Sequence, residues 1–356
     1  MTDAPDITLD ILRKRLDENG LYYTSLPLQN NILLAILARG GRLLGPFLPD
    51  GQSVGWLSPR LSSAEAFRRF LDAEEWNIGG NRTWIAPEIQ FSVADRSRFW
   101  ETIRIPAAMD PEPYVLEPGA GCCVLHKTVE LPVFYPGAGT KRLAVRRHVF
   151  PAADPLRERK DYASLVDGVL YAGYEHDIKL TDLDGNSFMA ESWDLFQVKP
   201  GGTAYVKVYD GESTQGADYY EKVDAAHQTI AKDHIALRIT GDRRYKLGFP
   251  ASCVTGRIGY LAHSGSESTL VARQFFSNPS APYNEEPPLL TGTRGLSVHV
   301  YNDSGELGGF GEIETNGQAV GGTAGRSASA DQFITWMYRG ACDKVERISR
   351  ILIGCP

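Results

Sequence analysis

Over most of this chain, apolar residues fall at every second position. From about residue 84 onward, short runs rich in Val, Ile, Tyr, Phe and Thr alternate with polar residues and stop at Gly, Pro, Asn or Asp. That is the pattern of strands with one buried face. The runs cover 122–134, 143–150, 169–180, 188–198, 203–209, 234–240, 244–249, 256–262, 269–276, 295–302 and 309–315. Turn signals separate them, among them Pro136-Gly137, Asp184-Gly185-Asn186 and Pro200-Gly201-Gly202. Three segments follow a helical period instead. Residues 7–19 carry a partial apolar stripe that Gly20 can stop. In 62–74, Phe67, Phe70 and Leu71 share a face, and Ser62 or Ser63 can cap. In 330–352, Phe333, Trp336, Met337, Val345, Ile348 and Leu352 lie near a 3.6-residue spacing, which predicts a C-terminal helix. Segment 31–44, with Gly40-Gly41, fits a strand pair with a glycine turn as well as a helix.

Many short strands with few helices between them predict an all-β protein of large antiparallel sheets, packed as a sandwich or closed barrel. No repeat and no linker divides the chain, so residues 1–356 are expected to form one domain. No run of about 18 apolar residues occurs, and the start lacks the basic-then-apolar order of a signal peptide, so no membrane partner is expected. The formal net charge of −7 argues against a nucleic-acid partner. Lys141-Arg142 and Arg146-Arg147-His148 read as a solvated strand edge. The five cysteines include no CxxC pair, which points to reduced thiols and a cytoplasmic setting.

The chain contains no phosphate-cradling glycine loop, no HExxH and no GxSxG. The seven histidines are scattered without ligand spacing, so neither a metal nor another cofactor is expected. Chemistry is left to carboxylates, isolated histidines, arginines and aromatics. Gly79–Glu88 packs Arg82, Trp84 and Glu88 into ten residues. An arginine fork suits vicinal hydroxyls or a carboxylate and a tryptophan face suits a sugar ring, although a bulged turn with a core tryptophan and a surface arginine fits the same residues. On a strand, Glu312 and Glu314 share a face, where crowding raises one pKa for acid–base work, or else they form a solvated acidic face. Alternation puts Ser297, His299 and Tyr301 on one face of 296–303. His126 alternates in the same way with apolar neighbours, and Trp193 reads as a platform or a core residue.

Taken in order, these segments resemble the galactose-mutarotase-like (aldose 1-epimerase-like) superfamily, and within it an uncharacterised bacterial branch. The stretches that carry the likeness are Gly79–Glu88, Trp193–Gly201, Val300–Asp303 and Glu312–Thr315, within roughly residues 40–320. Tyr219–Val223 and Gly241–Gly248 add to it. The resemblance implies a supersandwich of large twisted antiparallel sheets with a few peripheral helices and a sugar site on a concave face. Ile313-Glu314-Thr315-Asn316 is similar to the segment that carries the catalytic base of sugar epimerases, which assigns that role to Glu314. An early arginine binds the sugar there, and Arg82 matches it. The superfamily's histidine motifs are missing, so His126 and His299 are acid candidates by strand face alone. The implied activity is epimerase or mutarotase-type acid–base chemistry on a sugar or sugar derivative. Arg82, Trp84, Glu88, Trp193, Tyr301 and Glu312 would bind the substrate. A non-catalytic carbohydrate-binding protein, or a lyase or glycosidase, is the alternative on the same fold. Neither the sugar nor the oligomeric state is legible in the sequence.

Overall fold

The period-2 runs become two large antiparallel sheets in the computed structural model of the chain, which describes residues 6–355. In spatial order, the nine-stranded sheet holds Tyr23–Pro27, Leu33–Leu37, Arg42–Phe47, Asn81–Ala86, Glu191–Val198, Gly311–Asn316, Leu296–Asn302, Tyr245–Pro250 and Ala217–Asp218. The ten-stranded sheet holds Gln228–Ile230, His234–Arg238, Thr203–Val208, Val254–Ser264, Glu267–Phe275, Ala328–Ala341, Leu170–Asp182, Gly139–Pro151, Cys122–Val133 and Val115–Gly119. The open choice at 31–44 resolves as a strand pair around Gly40-Gly41.

Alternation decides which side chains enter the space between the sheets. Phe196, Val198, Leu247, Phe249, Val298, Val300 and Ile313 point inward from the nine-stranded sheet, against Val206, Leu237, Ile258, Val271 and Phe333 of the other. The helices Leu9–Glu18 and Ala64–Asp72 seal the outer face of the nine-stranded sheet at one end. There Leu12, Leu16, Phe67 and Phe70 meet Ala35, Leu37 and Leu44. That outer face also carries the cleft described below.

Two expectations need correction. The predicted helix over 330–352 is a strand over Ala328–Ala341 followed by a helix over Cys342–Ile353. The strand is central, paired on both sides, and the helix covers its outer face. Trp336 and Tyr338 are buried under the helix and Met337 under the facing sheet, so burial on both faces erased the alternation. The basic run in Gly139–Pro151 is only half solvated. Lys141 is buried against Asp182 at 2.8 Å, and Arg147 is buried between the sheets.

Arg147 belongs to a polar cluster inside the sandwich. Its Nε donates to His176 Nε2 at 2.8 Å, and His176 Nδ1 lies 3.3 Å from Asp194, which is ion-paired with Arg273. Burial works against the Asp194 carboxylate, but Arg273 and His176 outweigh it and hold its pKa below the ordinary range. Burial, helped by Arg147, drives His176 down to about 4, which keeps it neutral near pH 7. All five cysteines, each among the described residues, are free thiols.

Candidate functional site

The cleft begins at a glycine pair. Gly79 and Gly80 have φ of 110° and 77°, and a Cβ there would lie 2.5 Å from the Trp56 carbonyl and 2.4 Å from that of Leu43. Only glycine lets the chain pass so close before Asn81–Ala86 begins. That strand then presents Arg82 and Trp84 on the open face. The neighbouring strands add Trp193 and Gln197, then Glu312 and Glu314, then His299 and Tyr301, and finally Lys246. The register pairs Trp84 with Trp193, Gln197 with Glu312, Glu312 with Tyr301, Glu314 with His299 and Tyr301 with Lys246.

Two turns fix the far side. Asn302 accepts the backbone N–H groups of Thr240 and Gly241 and donates to the Arg243 carbonyl at 2.7 Å, which ties down the entry to the Lys246 strand. The Asp303 carboxylate accepts Gly305, Leu307 and Gly309 N–H groups and the Tyr301 hydroxyl. The 303–310 loop therefore winds around Asp303 and holds Glu306, Leu307 and Phe310 at the rim.

These elements enclose a cleft of about 590 Å³. Seven of the nine candidate residues line it: Arg82, Trp84, Glu88, Trp193, Tyr301, Glu312 and Glu314. Arg82 pairs with Glu312 at 2.6 Å, and Gln197 donates to the same carboxylate oxygen at 2.9 Å. Glu314 is gripped through one oxygen. Its Oε2 accepts the Trp193 indole N–H at 3.0 Å and lies 3.1 Å from the Lys246 ammonium. Its Oε1 is buried and has no hydrogen-bond partner. Burial raises the Glu314 pKa to about 7, although Lys246 opposes that shift. Burial likewise raises the carboxyls of Glu88 and, to about 8, of Glu285, whose Oε2 accepts the Glu88 N–H at 2.7 Å. Burial pulls the Lys246 ammonium down, but Glu314, Glu88 and Glu285 together hold it above its ordinary value.

Two candidates are placed otherwise. His126 lies on the ten-stranded sheet, half exposed, 3.1 Å from Glu117, and does not reach the cleft. Its alternation was read correctly, but a face says nothing about which sheet carries it. His299 is fully buried beside the floor rather than in it. Tyr219 closes over it with a 2.9 Å hydrogen bond to Nε2, and its Nδ1 lies 3.9 Å from Glu314. Burial and the nearby Lys246 depress its pKa far below the usual value, so its ring stays neutral. The tryptophans also differ from the expected platforms. The Arg82 guanidinium sits 4.1 Å over Trp84, and the Lys246 ammonium 4.3 Å over Trp193, so a cation already covers a face of each ring. Lys246 is the residue that the sequence reading missed. Its signal was a lysine alternating with apolar Tyr245, Leu247 and Phe249, in a strand with no exposed position.

Comparison with known proteins places the fold. A family model described as a family of unknown function, DUF6786, matches residues 47–356. No curated protein matches the chain. A solved structure of a candidate aldose 1-epimerase from Escherichia coli K12 superposes with a TM-score of 0.51 at 7% identity, over 89% of this chain and 99% of that one. A second candidate aldose 1-epimerase, from Klebsiella pneumoniae, gives 0.49 at 10% identity over 91% and 81%. At such identities the likeness is one of fold. The chain belongs to the family of unknown function DUF6786 and has a galactose-mutarotase-like supersandwich fold.

Proposed function

We propose that this protein is a carbohydrate-active isomerase that uses Glu314 as general base at the anomeric centre of a sugar. The observation that carries the reading is the half-satisfied Glu314 carboxylate: Oε2 is held by Trp193 and Lys246, while Oε1 is buried, unpartnered and on the floor of an open cleft. Leaving such an oxygen unpaired is unfavourable unless a ligand supplies the donor. A carboxylate with a pKa of about 7 is poised to take a proton near neutral pH. The Escherichia coli candidate aldose 1-epimerase on the same fold supports a sugar as substrate.

In this reading, Glu314 Oε1 takes the proton of the anomeric hydroxyl as the C1–ring oxygen bond breaks. Glu88, whose carboxyl burial shifts toward its protonated form, is the acid that gives a proton to the ring oxygen. Rotation about C1–C2 and reversal of both transfers closes the other anomer, returning one proton to Glu88 and releasing one from Glu314. Lys246 opposes the effect of burial and favours the ionised form of Glu314. Arg82 holds sugar hydroxyls, with Glu312 and Gln197 fixing its guanidinium. Five free thiols support a reducing, cytoplasmic setting.

An exchange panel by polarimetry or NMR tests this on a set of free sugars. Wild type is expected to accelerate anomer exchange for at least one of them, and Glu314→Gln to lose roughly 100-fold or more of that rate while still binding. No acceleration for any sugar, with binding retained, would leave a non-catalytic carbohydrate-binding protein instead. A fully active Glu314→Gln would remove the base.

A further inference from the structure

The floor and the mouth of the cleft differ in chemistry. The floor is charged, and its two tryptophans are buried, with a cation over each. The mouth carries Trp100, Tyr220 and Arg244. Trp100 is 52% exposed, an unusual position for so large a ring. It is nevertheless held in place. Buried Phe99 meets it edge-on at 4.8 Å, Tyr220 packs against it at 4.7 Å, and the Arg244 guanidinium lies 4.4 Å over it. Arg244 is in turn ion-paired with Glu306 and donates to Ser304 at 3.1 Å. An exposed aromatic fixed by its neighbours binds a flat apolar surface with little ordering cost. The cleft, at about 590 Å³, is in the range that holds ligands of several rings.

We infer that Trp100 and Tyr220 form an outer subsite that stacks a second, uncharged sugar ring, so that the ligand is the reducing end of a disaccharide or longer oligosaccharide. The inference rests on the sugar reading of the floor: the reducing ring sits at Glu314 and the next ring lies outward on Trp100. Because Glu306 already engages Arg244, the mouth favours a neutral ring over a carboxylated or phosphorylated one.

Titration calorimetry tests it, with common aldohexoses set against reducing disaccharides that carry the same hexose at the reducing end. Wild type is expected to bind a disaccharide about tenfold more tightly than its monosaccharide. Trp100→Ala should erase that difference and leave monosaccharide affinity unchanged, and Trp100→Phe should keep most of it. Equal affinity for both sizes in wild type, or an equal loss for both in Trp100→Ala, overturns the outer subsite alone. Binding of no carbohydrate of either size overturns the sugar reading with it.

Discussion

A single salt bridge sets the chemistry of the floor. Burial favours a neutral Glu314, and the Lys246 ammonium at 3.1 Å pulls the other way. The balance leaves a pKa of about 7, so a reaction that needs the carboxylate rises with pH through that value. Removing the cation leaves burial unopposed. In Lys246→Met the midpoint of kcat/KM against pH is therefore expected to move to higher pH, with a lower rate at pH 7. An unmoved midpoint would detach Lys246 from Glu314. Most of this floor was legible as residue types on strand faces: Glu312 with Glu314, Arg82 with Trp84, and Tyr301. Lys246 was not, because a lysine in a strand reads as solvated until its three carboxylate neighbours are known, and they come from distant segments. His126 shows the converse, a correct face on the wrong sheet.

Strands whose apolar and polar residues alternate are legible in the sequence to within a few residues, as at Leu296–Asn302 and Gly311–Asn316, although their polar face is the buried floor of the cleft. Ala328–Ala341 escaped because Thr335–Tyr338 is buried on both faces, and Phe333, Trp336 and Met337 then mimic a helical stripe. Buried acids also tie stability to pH. Glu191, which opens the Glu191–Val198 strand, is raised by burial to about 8, although Asn316 and the Asn284 N–H donate to it, and Glu285 is raised similarly. Both folded pKa values lie above the ordinary 4.5. Their contribution is complete below about pH 4.5 and is lost as pH rises through about 8. The melting temperature is expected to fall between about pH 5 and about pH 9, and less steeply in Glu191→Gln. Identical slopes in variant and wild type would remove Glu191 from that account.

Across the whole molecule, the two sheets meet through a mostly apolar layer interrupted by Arg147, His176, Asp194 and Arg273. Arg273 also donates to the backbone carbonyls of Asp194 and Ile313, so it joins the ten-stranded sheet to the strands that carry Trp193 and Glu314. Arg273→Met strands Asp194 as a buried anion whose remaining partners, His176, Asn81 and Thr83, carry no charge. A loss of about 3–5 kcal/mol is expected in urea unfolding. A loss under about 1 kcal/mol would mean that Asp194 takes up a proton or water instead. No periodicity in the sequence announces this cluster, since its members come from four strands and each alone looks like an ordinary polar residue.

The strand order also imposes a sequence of events on a growing chain. Arg82 and Glu312 touch although 230 residues separate them. Gly311–Asn316 slots between Glu191–Val198 and Leu296–Asn302, so the middle of the nine-stranded sheet stays open until one of the last strands arrives. Long-range closures of this kind are slow to organise, whereas the local hairpins and short helices can form early. The ribosome must therefore release the chain through residue 314 before Glu314 can meet Lys246, and a molecule with a working floor is one whose nine-stranded sheet has finished assembling.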